Sequence, residues 1–207
     1  MLKQIIREFN LMPFLDSYAQ HLEKSYVSSA QKIRESRQPG LFREALGHER
    51  HWCGMEDLHA AAKATGLSAK FLFPRRKTCR YVLVSAGPLL LTATLRPYPS
   101  APLRLNDFRD KLIHDFNRPW LPGCAPDFPE GEKYYGVLVH GNLVGDGDRL
   151  SFLRLRLPAW EKDINLDEID ILAHLADERA RAATCQTEEI AKQATPRLRR
   201  YQKVQKE

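Results

Sequence analysis

The densest run of side chains able to do chemistry is Gly47-His48-Glu49-Arg50-His51-Trp52-Cys53-Gly54-Met55-Glu56-Asp57-Leu58-His59. His48, His51, Cys53 and His59 are all zinc-ligand types. Their spacing departs from structural zinc sites, which pair two ligands at each of two distant points. The segment therefore reads as a polar connection between helices whose histidines hydrogen-bond locally, and no metal is expected. Asp146 and Asp148 flank Gly147 in Gly145-Asp146-Gly147-Asp148, which is turn chemistry far more than cation chemistry. A Mg²⁺-dependent nuclease of the restriction-enzyme type needs an acid on one strand and an acid-x-lysine on the next. The stretch 79–96 has no Asp or Glu, and Arg154-Leu155-Arg156 stands where acid-x-lysine is wanted. Such a site would be inactive here. The chain also has no G-x-S-x-G elbow, no Walker loop and no G-x-G-x-x-G, so no cofactor is expected.

Two short motifs resemble known families. Arg109-Asp110-Lys111-Leu112-Ile113-His114 resembles the R-x4-H motif of HEPN ribonucleases. The resemblance implies that Arg109 would stabilise charge and His114 would move protons at a scissile RNA phosphate. Arg43 to His48 fits the bare spacing less well. HEPN domains are helical bundles, and here the motif lies between two strand-rich stretches. Ala62-Lys63-Ala64-Thr65-Gly66-Leu67-Ser68 resembles the turn of helix-turn-helix DNA-binding modules. That implies a second helix after Ser68, with 79–96 in the place of a wing. Pro74 departs from the pattern, because it would cut the recognition helix to about six residues.

The charge balance points to partners rather than to catalysis. Net charge is +6, and residues 41–100 carry nine Lys and Arg against four Asp and Glu. Arg75-Arg76-Lys77 forms one cluster. In the tail, Arg197, Arg199, Arg200, Lys203 and Lys206 face only Glu207. Arg154 and Arg156 alternate with Leu153, Leu155 and Leu157, giving a strand one cationic face. Cations of this kind attract phosphate backbones by releasing counterions, without regard to base sequence.

The elements that must position these residues follow from periodicity. Leu15, Tyr18, Leu22, Tyr26, Ala30 and Ile33 line one face of a helix over 14–37, ended by Pro39-Gly40. Tyr18 and Tyr26 are candidate interface residues on that helix. Residues 55–66 read as a helix stopped by Gly66. Runs 79–86 and 89–96 flank Gly87-Pro88 and predict a hairpin, after which Pro97, Pro99 and Pro102 stop the strand. Asn106 caps a helix bearing Phe108, Leu112, Ile113 and Phe116. The stretch 119–131 reads as a long loop. A second hairpin spans 134–157, and a final helix begins at about Leu166 and continues toward Pro196.

The sequence thus predicts an α+β fold: an antiparallel sheet from two hairpins, about 79–96 and 134–157, with helices packed on it. An N-terminal helical extension occupies 1–40, the core 41–180, and a C-terminal helix and basic tail 181–207. No apolar run reaches the roughly 18 residues of a membrane helix. The four cysteines are scattered without a C-x-x-C pair, so free thiols and a cytoplasmic location are expected. Small size and compact loops suit a bacterial or phage origin. The leading expectation is a non-enzymatic nucleic-acid-binding protein using Arg75, Arg76, Lys77, Arg154, Arg156, Arg197, Arg199 and Arg200. An RNase using Arg109 and His114 is one alternative. A protein–protein module such as an antitoxin, immunity or adaptor protein, with a protein partner or a homodimer, is another.

Overall fold

The computed structural model describes residues 1–36, 41–73, 80–104, 106–117, 132–143, 148–160 and 164–184. Two helices open the chain, the short α1 (Leu2–Glu8) and the long α2 (Met12–Ser36), followed by α3 (Phe42–Ala64). Then come β1 (Ser68–Leu72), β2 (Tyr81–Ala86) and β3 (Leu89–Leu95). α4 (Asp107–Phe116) precedes β4 (Tyr134–Gly141), β5 (Phe152–Pro158) and β6 (Asn165–Asp170), and residues 171–184 form α5. The chain divides into two compact units, Met1–Leu172 and Ala173–Glu207. The described part of the second unit, residues 173–184, is helical, with a Glu178–Arg181 ion pair at 2.8 Å.

The fold is α+β, with one six-stranded sheet in the order β1-β2-β3-β4-β5-β6. The sheet is mixed, which corrects the expectation of a purely antiparallel one. β3 and β4 run parallel, with Leu89 opposite Tyr134 and Leu95 opposite His140. The cause is the α4 crossover, which carries the chain back to start β4 at the same end as β3. Burial agrees, since β4 is buried along its whole length and β3 at all but its last residue, as expected for strands covered on both faces.

Alternation sorts the two faces. Leu138 and His140 of β4 point toward α3, while Tyr135, Val137 and Val139 point toward α4 and pack with Ile113 and Phe152. On the α3 side, α2 lies along α3, and Tyr18 and Tyr26 are fully buried between the helices and the sheet. This corrects the expectation that the two tyrosines are exposed for a partner: their rings pack on the protein's own core. The helix expected over 55–66 starts earlier, because 42–54 continues α3 rather than forming a connection. Where the helix-turn-helix resemblance requires a second helix, residues 68–72 form β1, antiparallel to β2. The stretch from Leu166, expected as helix, begins instead as β6, whose Glu168 and Asp170 lie opposite Arg156 and Arg154. Asn106 caps α4 as expected, its side chain accepting from the Arg109 N–H at 3.0 Å. Among the described residues no helix is long and apolar enough to cross a membrane. Residues 119–131 and the turn residues Gly145 to Gly147 lie outside the described residues.

Candidate nucleic-acid interface

The connection from β3 to α4 is where positive charge gathers. β3 ends because Pro97, Pro99 and Pro102 cannot donate to a ladder. The last such bond is from the Arg96 N–H to the His140 carbonyl at 2.9 Å. Beyond it the chain would be a free surface loop, but two buried arginines fasten it to the sheet. Arg156 of β5 donates to the Ala101 carbonyl at 2.9 Å and to the Pro99 carbonyl. Arg109 of α4 donates to the Arg104 carbonyl at 3.0 Å and to the Ala93 carbonyl of β3 at 3.2 Å. These residues are only 4% and 6% exposed. Buried guanidiniums bound to carbonyls and a carboxylate hold backbone geometry more firmly than flexible lysines do.

The charges around the loop are unequally compensated. Glu168 of β6 serves two arginines, with 2.7 Å to Arg154 and 3.1 Å to the Arg156 Nε. Asp170 lies 3.8 Å from the Arg154 Nε. Arg96 and Arg104 have no carboxylate partner among the described residues. Burial pulls the Arg96 guanidinium below its ordinary pKa, and the neighbouring Arg104, Arg109 and Arg156 push it further the same way. Its Nε is buried with no hydrogen-bond partner. Arg104 is exposed, and Tyr98, between Pro97 and Pro99, is 49% exposed. Like charges held together in this way lower their mutual energy when an anion enters.

No protein-family model matches the chain, and no curated protein or solved structure matches it significantly. The chemistry must therefore be read from the residues themselves. Of the expected contacts, Arg154 and Arg156 do share one face, but both are engaged by carboxylates of β6, and Arg156 is turned inward. Arg75, Arg76 and Lys77, like Arg197, Arg199 and Arg200, lie outside the described residues. Arg109 and His114 are not brought together. Five residues on a helix separate them by about 140° around the axis. Arg109 is locked against the sheet, while His114 is exposed, 3.9 Å from Asp110 and edge-on to Trp160 at 4.5 Å. The histidine-rich stretch of α3 is dispersed in the same way, His59 lying against Phe71 at 4.6 Å. Among the described residues no three His, Cys, Asp or Glu are grouped to hold a metal ion. Asp148 is occupied by Arg34 at 2.6 Å and Arg50 at 3.8 Å, while Asp146 lies outside the described residues.

A second polar cluster is buried between α2, α3 and β4. The Tyr26 hydroxyl bonds the His140 Nδ1 at 2.8 Å, and the imidazole lies against Gly54. Arg50 stacks over the Tyr26 ring at 4.4 Å, and the Tyr18 hydroxyl donates to the Gly54 carbonyl at 3.2 Å. Burial, with His51 and Arg50 nearby, drives the His140 pKa down to about 3, so its ring is neutral at physiological pH. The cluster is sealed from solvent and positions helices on the sheet.

Arg96 and Arg104 were missed by sequence reasoning because each is an isolated cation. The available signal was two arginines bracketing a triple-proline stretch immediately after a strand.

Proposed function

We propose that the protein is a non-enzymatic nucleic-acid-binding module whose phosphate contacts centre on the β3–α4 loop. The observation that carries this reading is the pair Arg96 and Arg104, which have no carboxylate partner among the described residues and are held beside the buried Arg109 and Arg156. Arg96 and Arg104 contact phosphate, while Arg109 and Arg156 keep the loop in place and add to its positive potential. Arg154 contributes to that field from its pair with Glu168. Arg75, Arg76, Lys77, Arg197, Arg199 and Arg200 are proposed as further phosphate-binding cations.

The test is salt dependence. Each phosphate contact to a single strand contributes about 0.7 to the slope of log affinity against log salt. The Arg96→Ala/Arg104→Ala variant should therefore bind more weakly at every sequence, with its slope shallower by about 1.4. An unchanged slope, or no binding by the natural chain at low salt, overturns the proposal.

A further inference from the structure

The loop carries more than charge. Tyr98 is half exposed, whereas Tyr18, Tyr26, Tyr134 and Tyr135 are all buried. Its ring is mounted on a backbone with little freedom. Pro97 and Pro99 flank it, and Arg156 holds the Pro99 carbonyl. Arg96 stands two residues before Tyr98, at the start of the same fastened loop. An aromatic side chain fixed on a clamped loop next to unpaired cations is the arrangement that stacks a base while its phosphate is neutralised.

Resting on the reading just proposed, we infer that the ligand of this loop is single-stranded nucleic acid, with a base stacked on Tyr98 and its phosphates on Arg96 and Arg104. The number of contacts favours a single strand. The loop's own two phosphate contacts release few counterions, so its electrostatic share of binding is modest at physiological salt. A stacked base adds about tenfold or more in affinity. A duplex cannot supply that increment, because its base faces are covered by their neighbours within the stack.

The experiment uses the full chain and fluorescence anisotropy at low salt. The probes are a fluorescein-labelled oligodeoxythymidine and a duplex of the same length. Tyr98→Ala should weaken the single strand about tenfold and leave the duplex unaffected. Tyr98→Phe should bind like the natural chain, because it keeps the π-face and loses only the hydroxyl. The inference is overturned if Tyr98→Ala leaves the single strand unchanged, or weakens strand and duplex equally. In either case a loss with Arg96→Ala/Arg104→Ala would keep the loop as a phosphate site. If the natural chain binds neither probe, both the inference and the reading beneath it fall.

Discussion

Stability should fall in mild acid through one imidazole. His140 is fully buried, and its pKa in the folded chain is about 3, against an ordinary value of 6.5. Burial is the main cause, with His51 and Arg50 adding to it. The unfolded chain therefore binds a proton near pH 6.5 that the folded chain refuses until near pH 3. The sign follows: this contribution to stability is complete above the unfolded pKa and is lost as pH drops below it. The rate of loss is half-developed at pH 6.5 and approaches about 1.4 kcal/mol per pH unit below it, so between about pH 6.5 and pH 4.5 the loss amounts to roughly 2 kcal/mol. Carboxylates titrate over part of the same range, so the measurement is a difference. His140→Asn keeps an acceptor near the Tyr26 hydroxyl and removes the titration. Urea unfolding of both proteins across that range should show the variant less stable at neutral pH and the gap closing by about 2 kcal/mol in acid. Parallel curves would mean that His140 titrates normally in the folded chain, and the reasoning from its burial would be refuted.

Three further outcomes are expected from packing and hydrogen bonding. Gly54→Ala places a Cβ 2.5 Å from the His140 Nε2, so it should cost about 1–3 kcal/mol in urea unfolding. Combined with His140→Ala, that cost should shrink, a non-additivity that a double-mutant cycle reads directly. Asn117 is buried and accepts from the Tyr135 N–H at 2.7 Å while donating to the Tyr135 and Pro158 carbonyls at 2.8 Å each. Asn117→Ala leaves those strand groups unsatisfied and should lower stability by about 2–4 kcal/mol, visible as a lower urea midpoint. Arg156→Met leaves Glu168 with one fewer cation and frees the Pro99 and Ala101 carbonyls, so amide exchange should speed up in residues 97–104 well before global unfolding.

Much of the fold was written in local periodicity, and the rest depended on distant partners. The stripe from Leu15 to Ile33 marks α2 because a helix buried along one side needs that spacing. The α4 cap at Asn106 is equally local. The β6 strand could not be read in the same way. Asn165-Leu166-Asp167-Glu168-Ile169-Asp170 holds four residues of poor strand propensity, and only pairing with β5 makes Glu168 and Asp170 favourable there. The same limit applies to the parallel β3–β4 contact, which joins residues more than forty positions apart. Its trace in the sequence is the near-continuous apolar run Leu89-Leu90-Leu91, since a strand covered on both faces loses its alternation.

The site was half legible for a reason that lies in arginine itself. A cationic strand face is visible as Arg154-Leu155-Arg156, but alternation says only that both side chains share a face, not whether that face meets water. The β3–α4 loop covers Arg156, which became a fastener with its charge taken up by Glu168. A buried arginine needs acceptors from several directions, and the loop carbonyls at Pro99 and Ala101 supply them because the prolines bend the chain over the guanidinium. The consequence is that the charge visible in the sequence builds the platform, and the charge free to meet a ligand sits on isolated residues, Arg96 and Arg104, at either end of the stretch it fastens. The alternating arginines of β5 therefore mark the neighbourhood of the proposed interface, while its proposed contacts are the guanidiniums that have no carboxylate among the described residues.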